Sequence, residues 1–211
     1  MFEITSQKLD LKTLFEVWSE HRRIRLSDES KKKIVKCREY LDQKIERTDS
    51  PIYGINTGFG SLCKVSISRD KIEQLQSNLV MSHACGTGDL VDPEIVRLML
   101  LLKIHALSLG HSGVQLSTVE RLIDLYNEEV IPVIYEQGSL GASGDLAPLA
   151  HLSLPLLGEG EVYYKGEREA TQKALHDLGW EPITLRSKEG LALLNGTQFM
   201  GAHGIYALFA S

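Results

Sequence analysis

The tripeptide Asp92-Pro93-Glu94, followed by an apolar body that runs to Gly110, most tightly limits what this chain can fold into. Asp92 supplies a side-chain acceptor for the free amides of a first helical turn. Pro93 loses nothing there, because its missing N–H would be unpaired anyway. The spacing predicts one long helix. Its most apolar part, residues 98–109, is broken by Lys103 and His105, so no membrane span is expected.

Around it, the N-terminal half reads as helices separated by glycine-rich loops. Ser27-Asp28 opens a stretch in which Ile34, Cys37, Leu41 and Ile45 recur at helical spacing. Its run Lys31-Lys32-Lys33 is neutralised by Asp28, Glu29 and Glu39 and reads as a solvated face. Ser68 is a cap for a helix carrying Ile72, Leu75 and Leu79 that ends before Ser82. A further helix over 117–129 buries Val119, Leu122, Ile123 and Tyr126, and an apolar stretch covers 146–157, with Pro148 tolerable only near its start.

The sole strand signal is Glu161-Val162-Tyr163-Tyr164-Lys165, a small surface hairpin turned at Gly166, after which helix resumes over 169–178. Ser187 opens another helix, interrupted at Asn195-Gly196, and an apolar helix runs from Thr197 to Ser211. The expected class is mainly α with a small β-hairpin. Leu208 and Phe209 are expected to need packing partners outside these 211 residues, so the chain reads as a fragment of a larger protein.

Composition narrows the function classes. With 43% hydrophobic and 24% charged residues the chain is ordinarily globular, and 23 basic against 28 acidic residues give −5, which offers nucleic acid no broad cationic face. Cys37, Cys63 and Cys85 form no C-x-x-C pair and suit reduced thiols, and the first residues lack a signal peptide, so cytoplasm is the expected location. A zinc set of His83, Cys85, His105 and His111 lacks any recognised ligand spacing, and no metal is expected.

The chemistry concentrates in residues 138–151, Gly-Ser-Leu-Gly-Ala-Ser-Gly-Asp-Leu-Ala-Pro-Leu-Ala-His. A serine-hydrolase elbow fails, because Asp145 stands where G-x-S-x-G needs glycine and no strand precedes it. A plain reading makes Ser143 or Asp145 a helix cap. Ala142-Ser143-Gly144 is also a tripeptide able to condense on itself: the Gly144 nitrogen attacks the Ala142 carbonyl carbon and water leaves. Loss of the Ser143 hydroxyl as a second water leaves an exocyclic methylidene. Gly144 carries no side chain to obstruct that approach, and a strained loop held by helices would supply the compression.

Four stretches together resemble the aromatic amino-acid ammonia-lyases that carry a 4-methylideneimidazol-5-one (MIO) group. They are Tyr53-Gly54-Ile55-Asn56-Thr57-Gly58-Phe59-Gly60, Ser82-His83 with its glycines, the 138–151 segment, and Leu193-Leu194-Asn195-Gly196-Thr197-Gln198, in the family's order. The resemblance covers nearly the whole chain but less than half of a typical family member. It implies the N-terminal part of the fumarase/aspartase-like helical fold, with residues 1–186 forming a prosthetic-group domain and 187–211 beginning a central helical bundle. It also implies MIO formed autocatalytically from Ala142, Ser143 and Gly144, without metal or pyridoxal phosphate. Such an electrophile is needed because an α-amine is a poor leaving group and the β-hydrogen is barely acidic.

Residue by residue, the resemblance makes Tyr53 the base for the β-proton, a role that requires its phenolate to be stabilised against an ordinary pKa near 10. It makes His83 and Asn195 substrate-binding residues. The residues alone read as a loop anchor at Tyr53, a capping or core histidine at His83, and a C-cap at Asn195. Asp145 could assist cyclisation or cap the next helix. Relatives that prefer phenylalanine or tyrosine resemble Phe-Leu or His-Leu at the Ser82-His83 position, so the polar pair implies L-histidine, deaminated to trans-urocanate. Attack on the methylidene by amine or by imidazole stays open. The family also implies a homotetramer with shared active sites and further catalytic groups beyond residue 211, hence negligible turnover by residues 1–211 alone. The alternatives are a phenylalanine or tyrosine ammonia-lyase or aminomutase of the same family, and a non-catalytic helical module.

Overall fold

In the computed structural model, the structure describes residues 1–47, 52–55, 57, 71–138, 140 and 143–211. The architecture is mainly α, as expected. Its centre is α4 (Pro93–Ser108), capped by Asp92, whose carboxylate accepts the Glu94 amide at 2.8 Å. Val96, Leu98, Met99, Leu100, Leu101 and Ile104 are all buried on it, so the helix is enclosed on every side. Against it pack α1 (Leu11–Ser19), α2 (Asp28–Glu46), α5 (Leu116–Asn127) and α9 (Gln198–Ala210). The expected N-cap at Ser27 accepts the Ser30 amide, and Val119, Leu122, Ile123 and Tyr126 are buried on α5 as their spacing requires.

Several expectations are corrected. The helix α3 (Ile72–His83) does not end before Ser82; Ser82 and His83 form its last turn, while the expected cap, Ser68, lies outside the described residues. The strand pair β6 (Glu161–Tyr164) and β7 (Glu167–Ala170) is not an isolated surface hairpin. It is extended by β4 (Ile131–Pro132) into a three-stranded antiparallel sheet, and Val162 is fully buried. Nor is it the sole strand structure: β1 (Phe2–Ile4) pairs in parallel with β2 (Ile24–Leu26), and β3 (Thr87–Leu90) pairs antiparallel with β5 (Tyr135–Gln137). Three- and four-residue strands give too little alternation to be seen in a sequence. Glu169 and Ala170 therefore belong to β7, and α7 (Thr171–Leu178) starts after them.

Ser187 does not open α8 (Glu189–Leu194). Lys188 precedes the helix in a left-handed conformation, and Ser187 instead binds the buried Arg38 through both its carbonyl and its hydroxyl, at 2.8 and 3.0 Å. The fully buried Glu189 carboxylate is satisfied by the Gln115 amide, the Thr118 hydroxyl and the Arg186 amide at 2.6–2.8 Å, which ties α8 to the start of α5. Phe209 finds partners within the chain, stacking on Trp18 at 5.7 Å and meeting Phe15 edge-on at 4.9 Å, whereas Leu208 is exposed. Among the described residues no helix is long and apolar enough to cross a membrane.

Candidate active site

Two glycine-containing segments meet because β3 and β5 pair, with Thr87 opposite Gln137 and Leu90 opposite Tyr135. The contact leaves no room for side chains: a Cβ on Gly138 would lie 3.0 Å from the Gly86 Cα. His151, buried on α6 (Leu146–Ser153), joins the two. Its Nε2 accepts the Gly86 amide at 3.0 Å while its ring meets Tyr135 edge-on at 5.2 Å. Burial holds the His151 pKa below its usual value, keeping that nitrogen an acceptor.

Helices α3, α6 and α8 pack on one another around Leu79, Ala150 and Leu194. Their ends carry the expected residues: His83 closes α3, Asp145 immediately precedes α6, and Asn195 caps the C-terminus of α8. A cavity of about 550 Å³ opens at the 143–145 segment, between Glu136 on β5 and Phe199, Met200 and His203 on α9. A second, of about 420 Å³, lies between α2 and residues 109–111 and shares none of these residues.

Ser143 and Gly144 are both partly buried at this cavity, and Gly144 has φ +78°, a conformation that glycine adopts without penalty. The site fits a group made from this backbone at both described positions; Ala142 lies outside the described residues. Asp145 is 1% exposed. It makes no side-chain cap to α6, the next helix; its Oδ2 accepts the Phe199 amide at 2.9 Å and the Met200 amide at 3.3 Å, capping α9. Burial pushes its pKa up, and those two amides together with His203 and Lys103 pull it back down. Asp145 Oδ1 and His203 Nε2 are buried without a hydrogen-bond partner among the described residues, and both residues line the cavity.

His83 is half-buried, with Nδ1 2.8 Å from the Leu79 carbonyl. A carbonyl only accepts, so Nδ1 carries a proton, which in the neutral ring leaves Nε2 as the acceptor. Asn195 is exposed, and its amide donates to the Leu191 carbonyl at 3.0 Å, which makes the C-cap reading correct for this conformation. Tyr53 lies in a turn and is 53% exposed. The structure thus brings Ser143, Gly144 and Asp145 to one cavity, whose described lining does not include Tyr53, His83 or Asn195. Phe199, His203, His151 and Lys103 were not singled out for the site. The one available signal was Lys103, a charge inside an otherwise apolar helix.

The profile described as Aromatic amino acid lyase matches residues 9–211. The chain belongs to that family. The histidine ammonia-lyase of Caldanaerobacter subterraneus subsp. tengcongensis is 48% identical over 201 residues, 95% of this chain and 39% of that protein. Among solved structures, the histidine ammonia-lyase of Trypanosoma cruzi superimposes with a TM-score of 0.88 at 38% identity, covering 99% of this chain and 40% of that one. Tyrosine aminomutase from Streptomyces globisporus gives 0.90 at 35%, covering 99% and 39%. This chain therefore spans about two fifths of the length of the relatives it matches.

Proposed function

We propose that the protein carrying this chain eliminates ammonia from L-histidine to give trans-urocanate, using an MIO electrophile built from Ala142, Ser143 and Gly144. The observation that carries this reading is the 48% identity to a histidine ammonia-lyase over 95% of the chain. The left-handed backbone of Gly144, which glycine adopts without penalty, at the mouth of a cavity supports it.

The group, once formed, supplies an electron-accepting methylidene that no ordinary side chain offers. The chain's own residues do the rest. Tyr53 takes the β-proton, which requires a phenolate stabilised by groups around it. His83 presents an acceptor at Nε2, suited to the N–H of a substrate imidazole, because Leu79 fixes the proton on Nδ1. Asn195 binds the substrate amine once its amide leaves Leu191. Asp145, whose Oδ1 is buried beside Gly144 without a hydrogen-bond partner among the described residues, takes a proton during cyclisation.

Residues 1–186 form the prosthetic-group domain and 187–211 open the central helical bundle. The assembly is a cytoplasmic homotetramer with shared active sites, without metal or pyridoxal phosphate, and with no nucleic-acid or membrane partner. Residues 1–211 alone give negligible turnover. Absorbance assays on the complete protein test the substrate: urocanate from histidine is expected, and release of cinnamate or coumarate with histidine untouched contradicts it. That second outcome is the phenylalanine or tyrosine lyase or aminomutase reading, favoured by the tyrosine aminomutase likeness.

A further inference from the structure

Lys103 is 2% exposed in the middle of α4, yet its ammonium reaches the end of α8, where Nζ donates to the carbonyls of Ala192 at 2.8 Å and Asn195 at 2.9 Å. These carbonyls belong to the orphan acceptors at the negative end of a helix, where a cation is favourable. Across the Gly196-Thr197 link, Asp145 does the converse. Its carboxylate holds the Phe199 and Met200 amides at the positive end of α9. The link between α8 and α9 is pinned at both ends by buried side chains of opposite charge. Asn195 sits on it, its amide folded back on the same last turn of α8.

We propose that Lys103 is a positioning residue for the reaction: by holding the Asn195 carbonyl, it fixes where the Asn195 carboxamide is presented at one end of the link whose other end Asp145 pins. This rests on the reading of Asn195 as substrate-binding. Desolvating an ammonium is costly. Burial pushes the Lys103 pKa down to about 7, with the Asp145 charge pulling it up. An uncharged methionine would fill α4 without that cost, but it would leave both carbonyls without a donor.

A double-mutant cycle on the complete protein tests this. Lys103→Met is expected to lower kcat/KM about tenfold or more in the wild-type background but less than about threefold in an Asn195→Ala background, because the two act as one unit. Lys103→Arg is expected to restore most of the loss. Equal fold-losses in both backgrounds would show a merely structural lysine and overturn the proposal. Should Lys103→Met fail to fold, Lys103→Gln, whose amide ends one atom short of the position of Nζ and so releases the Asn195 carbonyl, is carried through the same cycle with the same two outcomes. The wild type is assayed alongside with histidine, phenylalanine and tyrosine. Activity on histidine with equal losses overturns only the role of Lys103, whereas a wild type that deaminates none of the three overturns the functional reading with it.

Discussion

The carboxylate of Asp145 accepts the backbone amide of Phe199 at 2.9 Å, across 54 positions of sequence. The residue that follows Gly144 thereby fixes the first turn of α9, and the cavity wall bearing Phe199, Met200 and His203 is held to the 143–145 segment.

Removing that acceptor leaves two amides of α9 without a partner. Asp145→Ala is expected to cost about 1–2 kcal/mol of stability. Asp145→Asn, which keeps an acceptor oxygen and relieves the burial of a charge, should cost less. Urea unfolding of the three proteins compares them, and an alanine variant as stable as the asparagine variant would contradict the cap.

His151 ties the fold to pH. Its neutral Nε2 accepts the Gly86 amide, and burial keeps its pKa below the ordinary 6.5. As pH falls through about 6.5 the unfolded chain binds the proton first, so this contribution is complete at higher pH and lost on acidification. The drop in melting temperature between pH 7.5 and 5.5, two values chosen at about one unit either side of the free histidine pKa, should be smaller in His151→Gln. An identical drop in both proteins would remove His151 from the account.

Gly110 ends α4 at φ +73°, and a Cβ there would lie 2.6 Å from the Lys33 Cβ and 2.8 Å from its backbone carbonyl carbon. Gly110→Ala combines a left-handed backbone with a clash that backbone cannot relieve. A loss of about 2 kcal/mol or more is expected. Thermal unfolding that leaves the midpoint unchanged would mean that α2 and α4 do not approach as described.

The proposed function puts substrate choice in the last turn of α3, at His83. His83→Leu removes the Nε2 acceptor and is expected to lower kcat/KM for histidine about a hundredfold or more while favouring phenylalanine, since an unpaired polar substrate group is costly to bury. Parallel urocanate and cinnamate assays read both changes. Unaltered histidine turnover would place the specificity elsewhere.

What the sequence revealed and what it hid follow from range. Asp92-Pro93 and Ser27 are legible because a cap bonds within three residues. The apolar faces of α4 and α5 are legible because helical spacing repeats locally. Arg38 binding Ser187, Thr118 binding Glu189 and Lys103 binding Asn195 span 149, 71 and 92 positions, and no local pattern announces such partners. Asp145 shows the same limit within the site: its position suggested a cap, but the helix it caps is α9 rather than α6. The proposed condensation of Ala142, Ser143 and Gly144 involves neighbours in sequence and so could be read as a local pattern. The cavity at Ser143 and Gly144 depends on α9, which reaches it through packing on α4 and α6 and through the Asp145 cap.

The intact mass of the complete protein bears most directly on the backbone-derived electrophile. Wild type is expected to weigh two water molecules less than its sequence, with Ser143→Ala retaining at least the mass of the water that carries the serine hydroxyl and losing its turnover. A wild-type mass equal to that of the unmodified sequence, in a preparation that deaminates histidine, would contradict the account.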